Sequence, residues 1–391
     1  MKTERLYYTD SWLRSFDARV LRAEPAGEKV HVLLDRTAFY PASGGQPFDT
    51  GTLGTARVSD VFESESGEVV HVADRLPEGG GVHGEVDWAR RFDHMQQHTG
   101  QHLLSAVWME LFKRPTVSFH MGEDLSTVDL EGGALSEEQV RRAGARANEI
   151  VFEDRPVNVF FAAREEAAAL GLRKEVEREG QIRIIEIEKL DRTACGGTHL
   201  ARTGQIGAIL LRKVEKVRQG MRVEFACGGR AVEWARRDYQ ALTSAAAAYT
   251  SHPHELPQIV RKKIEESKAA EKERQRLLHL LAAYEAREMY AQTAPDGQGL
   301  RTIEKVLDAD PAYVRFLAAQ VAAQPNARAV FAVRRPPTLV LAQSKGLAAD
   351  LGAVVKKLGL RGGGSRDSAQ AGAEDEKALE MYLERIRLEL K

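Results

Sequence analysis

Two pairs of ligand-type side chains set the tightest constraint on this chain. His98 and His102 bracket the run His98-Thr99-Gly100-Gln101-His102, and Cys195 and His199 bracket Cys195-Gly196-Gly197-Thr198-His199. Residues at i and i+4 lie on one helical face, so His98 and His102 are close enough to share one metal ion. The second pair has the same spacing, and its glycines allow a tight approach. Together the pairs make a His₃Cys set, which suits Zn²⁺: borderline-soft, imidazole plus thiolate, tetrahedral.

The chain carries an internal control. Cys227-Gly228-Gly229-Arg230-Ala231 repeats the Cys-Gly-Gly but has Ala231 where a histidine would stand. Cys227 is therefore expected to be a small apolar residue at a strand end. His94 precedes His98 by one helical turn and is expected on the helix surface or behind the ligands. His120, in Ser118-Phe119-His120-Met121, is a candidate pocket residue, and the remaining histidines (31, 71, 83, 252, 254, 279) have no ligand spacing. Four protein ligands close a tetrahedral site, which weighs toward structural zinc. Thr99, Gly100 and Gln101, small or polar and packed between ligands, weigh toward a site that admits a polar substrate.

With 43% hydrophobic residues the chain has enough apolar material for real cores, which excludes global disorder. Lys+Arg total 56 against 57 Asp+Glu, net −1, which excludes a grossly basic nucleic-acid binder but not local basic patches. Two cysteines cannot build a disulfide framework, and no uncharged apolar run approaches the ~18 residues of a bilayer span. A soluble, cytoplasmic protein without membrane contact is expected.

Residues 1–90 read as short strands with glycine turns, a β-barrel-like module. Residues 91–230 read as one α/β domain, with a helix starting near Asp87 or Asp93 and stopping before Pro115, and another from Ser136 to Asp154. Residues 231–292 read as a charged helical arm suited to a partner helix or a coiled coil. Residues 293–391 read as a small α/β domain in which Arg361-Gly362-Gly363-Gly364-Ser365-Arg366 is a glycine loop. The expected class is α+β and multidomain.

Two further features bear on function. In Phe39-Tyr40-Pro41-Ala42-Ser43-Gly44-Gly45-Gln46-Pro47 the paired glycines permit close backbone approach to a ligand, or form a hairpin loop. Residues 212–222 hold Arg212, Lys213, Lys216, Arg218 and Arg222 against Glu215, and residues 261–276 hold seven basic and four acidic groups. Such runs track phosphates or are solvated faces.

The paired motif His98-Thr-Gly-Gln-His102 with Cys195-Gly-Gly-Thr-His199 resembles the editing domain of alanyl-tRNA synthetases. The 39–47 segment is similar to the glycine motif that precedes that domain, and Ser118–Met121 and Ser126–Leu130 fall where its pocket strands fall. Arg361–Arg366 with Ala369–Gly372 is similar to the C-terminal domain shared with DHH-type phosphoesterases. No aminoacylation domain fits before residue 39, so the resemblance is to the freestanding editing proteins in their long form. It implies a zinc-dependent deacylase acting in trans on Ser-tRNA(Ala), with Gly-tRNA(Ala) as a second candidate substrate. It implies that His98, His102, Cys195 and His199 hold Zn²⁺, that Thr99 and Gln101 contact the aminoacyl group and that Thr127 lines the pocket. Gly44, Gly45, Arg218, Arg361 and Arg366 are implied in tRNA contact or domain support, and the C-terminal region in homodimerisation. Three rival readings remain: a metal-dependent small-molecule hydrolase, a non-catalytic zinc protein that binds RNA, and an editing domain for another tRNA.

Overall fold

The computed structural model describes residues 3–174, 180–218 and 220–390, and these form a mixed α/β architecture. Contacts divide the chain into two compact units, 1–253 and 254–391.

The first unit opens with a short parallel pair, Glu4–Arg5 (β1) on Arg36–Thr37 (β4). Around it lie Ser15–Ala26 (β2), Lys29–Leu34 (β3), Gly51–Leu53 (β5), Ala56–Glu63 (β6), Val69–Ala73 (β7) and Gly81–Val86 (β8). These six strands close into an antiparallel barrel in the order β2-β3-β7-β6-β5-β8. Alternation builds its interior: Val82 and Val86 point inward from β8 while His83 and Glu85 face water. Phe16, Val32, Leu34, Phe39, Leu53 and Val61 fill the rest.

Trp88–Phe112 (α1) follows directly, capped by the Asp87 carboxylate, which accepts from the Arg90 N–H. It ends where Lys113 turns left-handed, just before Pro115. Thr116–Met121 (β9), Ser126–Glu131 (β10), Ile209–Val217 (β14) and Gly220–Cys227 (β15) form an antiparallel sheet in the order β14-β15-β10-β9. Glu137–Phe152 (α2) begins in a capping box: Ser136 accepts from Gln139 N–H, and the Gln139 side chain accepts from Ser136 N–H. Met95, Leu103, Val107 and Trp108 of α1 meet Val128, Val223 and Phe225 of the sheet and Ala147 and Ile150 of α2 in one core. A second sheet joins Val157–Ala162 (β11), Ile182–Ile187 (β12) and Asp191–Ala194 (β13), with Arg164–Ala169 (α3) beside it. Gly228–Ala247 (α4) completes this unit.

Leu256–Gln292 (α5) opens the second unit, with Pro257 in its first turn, where a missing N–H is harmless. Arg301–Leu307 (β16), Ala327–Val333 (β17), Thr338–Gln343 (β18), Arg361–Gly364 (β19) and Ser368–Gly372 (β20) form a five-stranded sheet, order β16-β17-β18-β20-β19. Pro311–Ala322 (α6) packs on one face of this sheet, and Leu351–Lys357 (α7) and Glu376–Glu389 (α8) pack on the other. The expected glycine loop at 361–366 is therefore mostly an edge strand, paired antiparallel with β20. Three consecutive glycines oppose strand propensity, and pairing with β20 overrides it. The helix expected as a free arm is partly ordinary packing. Ala282 and Ala286 are buried against α6, while Leu277, Leu281 and Tyr284 stay exposed.

Candidate metal centre

The centre forms where α1 meets the loop leaving β13. His98 and His102 project from adjacent turns of α1, and Cys195 and His199 come from the loop. One ligand atom from each of the four lies within 4.8 Å of every other. Cys195 Sγ is 3.5 Å from His98 Nε2 and 3.4 Å from His199 Nε2. A tetrahedron with Zn–N about 2.05 Å and Zn–S about 2.3 Å has an N···S edge of about 3.5 Å, so the donor set fits Zn²⁺. The histidines are buried and Cys195 is half-buried.

Two of the ligand histidines, His98 and His199, are held from behind. Gln46 Oε1 sits 2.7 Å from His98 Nδ1 and accepts a hydrogen bond from its N–H, which leaves Nε2 free for a metal. The same oxygen accepts from Thr198 N–H, and Gln46 Nε2 donates to Thr198 Oγ1. Thr99 Oγ1 lies 3.2 Å from His199 Nδ1 and accepts from Leu200 N–H. Phe119 stacks on the His98 ring at 5.6 Å. Gly197 has to lack a side chain, because a Cβ there would stand 2.2 Å from His98 Cε1. His102 Nδ1 is buried without a hydrogen-bond partner.

Burial drives the electrostatics. It lowers the His98 pKa to about 3 and holds His102 and His199 well below the usual imidazole range, so all three rings are neutral at pH 7. Burial raises the Cys195 thiol, opposed by the Gly197 N–H and by Arg183 and Arg173. A bound cation reverses that balance and takes the sulfur as thiolate.

Other expected site residues fall as follows. Gly44 and Gly45, both at positive φ, form the tip of a turn closed by paired Ser43–Gln46 hydrogen bonds. The turn packs on β9, where Met121 N–H donates to the Gly45 carbonyl, and it aims Gln46 at His98. Thr99 is fully buried, its hydroxyl engaged by His199 and Leu200. Gln101 is buried and donates to Ser105 Oγ. Thr127 pairs with His120 on β9, whereas Phe119 pairs with Val128. Thr127 thus points to the sheet face opposite the one that stacks on His98. Cys227 is fully buried at the end of β15, packed against Gly100 and outside the ligand cluster.

The basic stretches are mostly neutralised. Arg212 pairs with Asp238, Lys213 with Glu215 and Arg222 with Asp129. On α5, Lys263, Lys268, Arg274 and Arg276 pair with acids three residues away. Arg218 is exposed at the β14–β15 turn, Arg361 lies 4.0 Å from Glu374, and Arg366 donates to the Leu347 and Ala348 carbonyls.

Sequence reasoning passed over Gln46, although it stands inside the glycine motif, and over Arg183. It also passed over the fully buried Asp49–Arg91 pair. Asp49 accepts from Tyr40 N–H, and Arg91 also donates to the Ser11 and Ala38 carbonyls, fastening the segment after the glycine turn to α1.

Residues 182–223 match the family profile described as the second additional domain of threonyl and alanyl tRNA synthetases, the stretch adjoining and containing Cys195 and His199. Residues 7–90 match the profile of class II (A) tRNA synthetases. The alanyl-tRNA editing protein AlaX-L of Pyrococcus horikoshii is 38% identical over 240 residues, 59% of each chain. This chain is a relative of the alanyl-tRNA editing proteins. An alanine–tRNA ligase of Pyrobaculum calidifontis is 34% identical over 94% of this chain and 42% of its own length. The C-Ala domain of Aquifex aeolicus alanyl-tRNA synthetase matches at 21% identity, over 24% of this chain and 95% of that one, with a TM-score of 0.20. The chain thus spans 59% of the editing protein and 42% of the ligase. Among the described residues no helix is long and apolar enough to cross a membrane.

Proposed function

We propose that this chain is a cytoplasmic aminoacyl-tRNA deacylase that acts in trans on tRNA(Ala) mischarged with serine, with Zn²⁺ held by His98, His102, Cys195 and His199. The observation that carries the reading is the convergence of four chemically matched donors from two distant segments, in a relative of alanyl-tRNA editing proteins. An alanine pocket rejects an added hydroxyl only weakly, so a second, hydrolytic site is needed to remove serine. When bound, Zn²⁺ supplies a Lewis-acidic centre that orients polar groups of the aminoacyl moiety.

The chain's own residues do the positioning. Gln46 keeps the His98 proton on Nδ1, and Thr99 fixes the His199 ring. Gln101 steadies α1 through Ser105. The half-buried Cys195 and the exposed Gly44–Gly45 turn mark the side from which the acceptor end of tRNA approaches. Division of labour follows the chain: a glycine-motif barrel (1–90), the deacylation domain (91–230), a helical arm (231–292) and a C-terminal domain (293–391) that contacts tRNA and joins two copies. Arg218, Arg361 and Arg366 are the cations offered to tRNA.

The burial of all three histidines favours one second reading, a structural zinc centre in an RNA-binding protein. Deacylation of Ser-tRNA(Ala) and Ala-tRNA(Ala), each by zinc-loaded and zinc-stripped protein, separates the two. Rapid zinc-dependent loss of the seryl group with alanyl spared is expected. Equal rates on both substrates overturn the alanyl-editing reading, and tight tRNA binding without deacylation favours the structural one.

A further inference from the structure

Resting on the metal reading above, we propose that Arg183 is the positioning residue that clamps the Cys195–His199 loop and sets it for metal capture. Arg183 lies on β12, flanked by Ile182, Ile184 and Ile185, and is 7% exposed. Its Nη1 donates to two carbonyls of the ligand loop, Cys195 O at 2.7 Å and Gly197 O at 2.8 Å. Its Nε donates to Tyr8 O at 2.8 Å, and the guanidinium stands over the Tyr8 ring at 5.5 Å. One side chain therefore ties the loop to the N-terminal segment.

The loop needs such a tie. Gly196 and Gly197 give it more backbone freedom than any other pair of residues would, and Gly197 has to stay glycine to clear His98. Ordering it without a clamp would draw on the binding energy of the metal. Arg183 fixes the carbonyls on both sides of Gly196, so the Cys195 sulfur and the His199 ring arrive already aimed.

The cost of burying Arg183 points the same way. Burying a cation is unfavourable without an anion nearby, yet Arg183 has no carboxylate partner among the described residues, and its Nη2 is buried with no hydrogen-bond partner. What holds the guanidinium there is its hydrogen bonds to the Cys195 and Gly197 carbonyls and to the Tyr8 carbonyl. Lysine, a compact point charge, cannot reproduce a fork that reaches three carbonyls at once.

The test uses the full chain, stripped of metal and titrated with Co²⁺, reading the tetrahedral d–d bands and the near-ultraviolet thiolate-to-cobalt band. Arg183→Lys and Arg183→Leu are compared with the parent chain, with Arg141→Lys, in an exposed pair on α2, as control. Circular dichroism and thermal unfolding report folding. Arg183→Lys is expected to bind Co²⁺ roughly 10–100-fold more weakly at near-parental helicity. Arg183→Leu is expected to lose much of the thiolate band while keeping bands from histidine ligation. Parental affinity and an unchanged thiolate band in folded Arg183→Lys overturn the clamp and leave the metal reading intact. Failure of the parent chain to bind Co²⁺ overturns both. If Arg183→Leu does not fold, Arg183→Lys decides alone.

Discussion

Cys195 and Cys227 share a Cys-Gly-Gly context and have opposite surroundings. Cys195 Sγ faces two imidazole nitrogens. Burial pushes the Cys227 thiol up, out of thiolate reach at neutral pH, and the side chain packs on Gly100. Cys195→Ala is expected to lower bound zinc per chain and seryl deacylation together. Cys227→Ala is expected to leave both near normal and to reduce stability by about 1 kcal/mol, from the cavity beside Gly100. Zinc analysis, deacylation and urea unfolding of the two variants check this, and metal loss in Cys227→Ala would refute the ligand assignment. The four donors were legible in the sequence: His98 and His102 because i, i+4 spacing on a helix is local geometry, and Cys195 and His199 because their residue types and flanking glycines matched a ligand pair, although the structure places them in a loop. Gln46 and Arg183 were not, since their partners lie 52 and 12 or more residues away and only tertiary packing joins them. Thr127 shows another limit: side chains alternate along β10, so its side of the sheet depends on a one-residue register that composition does not encode.

Elements were more legible than residues wherever a local signal marked their ends. Asp87 and Ser136 cap α1 and α2, and Pro115 lies just beyond the end of α1. β19 was missed because an edge strand of glycines carries no period-2 apolar pattern. Within the barrel, β7 carries a device no pattern reveals. His71 is fully buried; its Nδ1 faces Val32 O at 3.1 Å, and its Nε2 faces Thr37 Oγ1 at 2.8 Å. The neutral ring donates to the carbonyl and accepts from the hydroxyl, and burial lowers its pKa to about 4. The unfolded chain takes up a proton near pH 6.5 and the folded one does not, so stability is full above pH 6.5 and falls as pH drops toward 4. The loss from this group is on the order of 3 kcal/mol at the lower end. His71→Gln is expected to reduce the pH slope of unfolding between 6.5 and 4 by about one proton, with the buried His94 still contributing. An unchanged slope in urea unfolding across that range would show that His71 titrates normally.

At the scale of the molecule, every donor of the candidate centre lies in the unit spanning 1–253. A fragment of those residues is expected to bind one zinc per chain while losing tRNA affinity, measured by metal analysis and by filter binding over a range of salt. Full tRNA affinity in the fragment would move the RNA contact out of the second unit. The mixed α/β character was legible from the strand and helix patterns along the chain. The neutralisation of its basic runs was not, because the acids that pair with Arg212 and Arg222 lie elsewhere in the sequence. The spacing of the ligands also fixes an order of events during synthesis. The barrel, Gln46 and both α1 histidines leave the ribosome first, and Cys195 and His199 follow after an interval of about 5–20 s at ordinary elongation rates. Through that interval the nascent chain offers only a two-histidine half-site, weaker and less selective than the full set. Metal capture by the proposed four-donor set is therefore expected to be a late step, after residue 199 has cleared the exit tunnel.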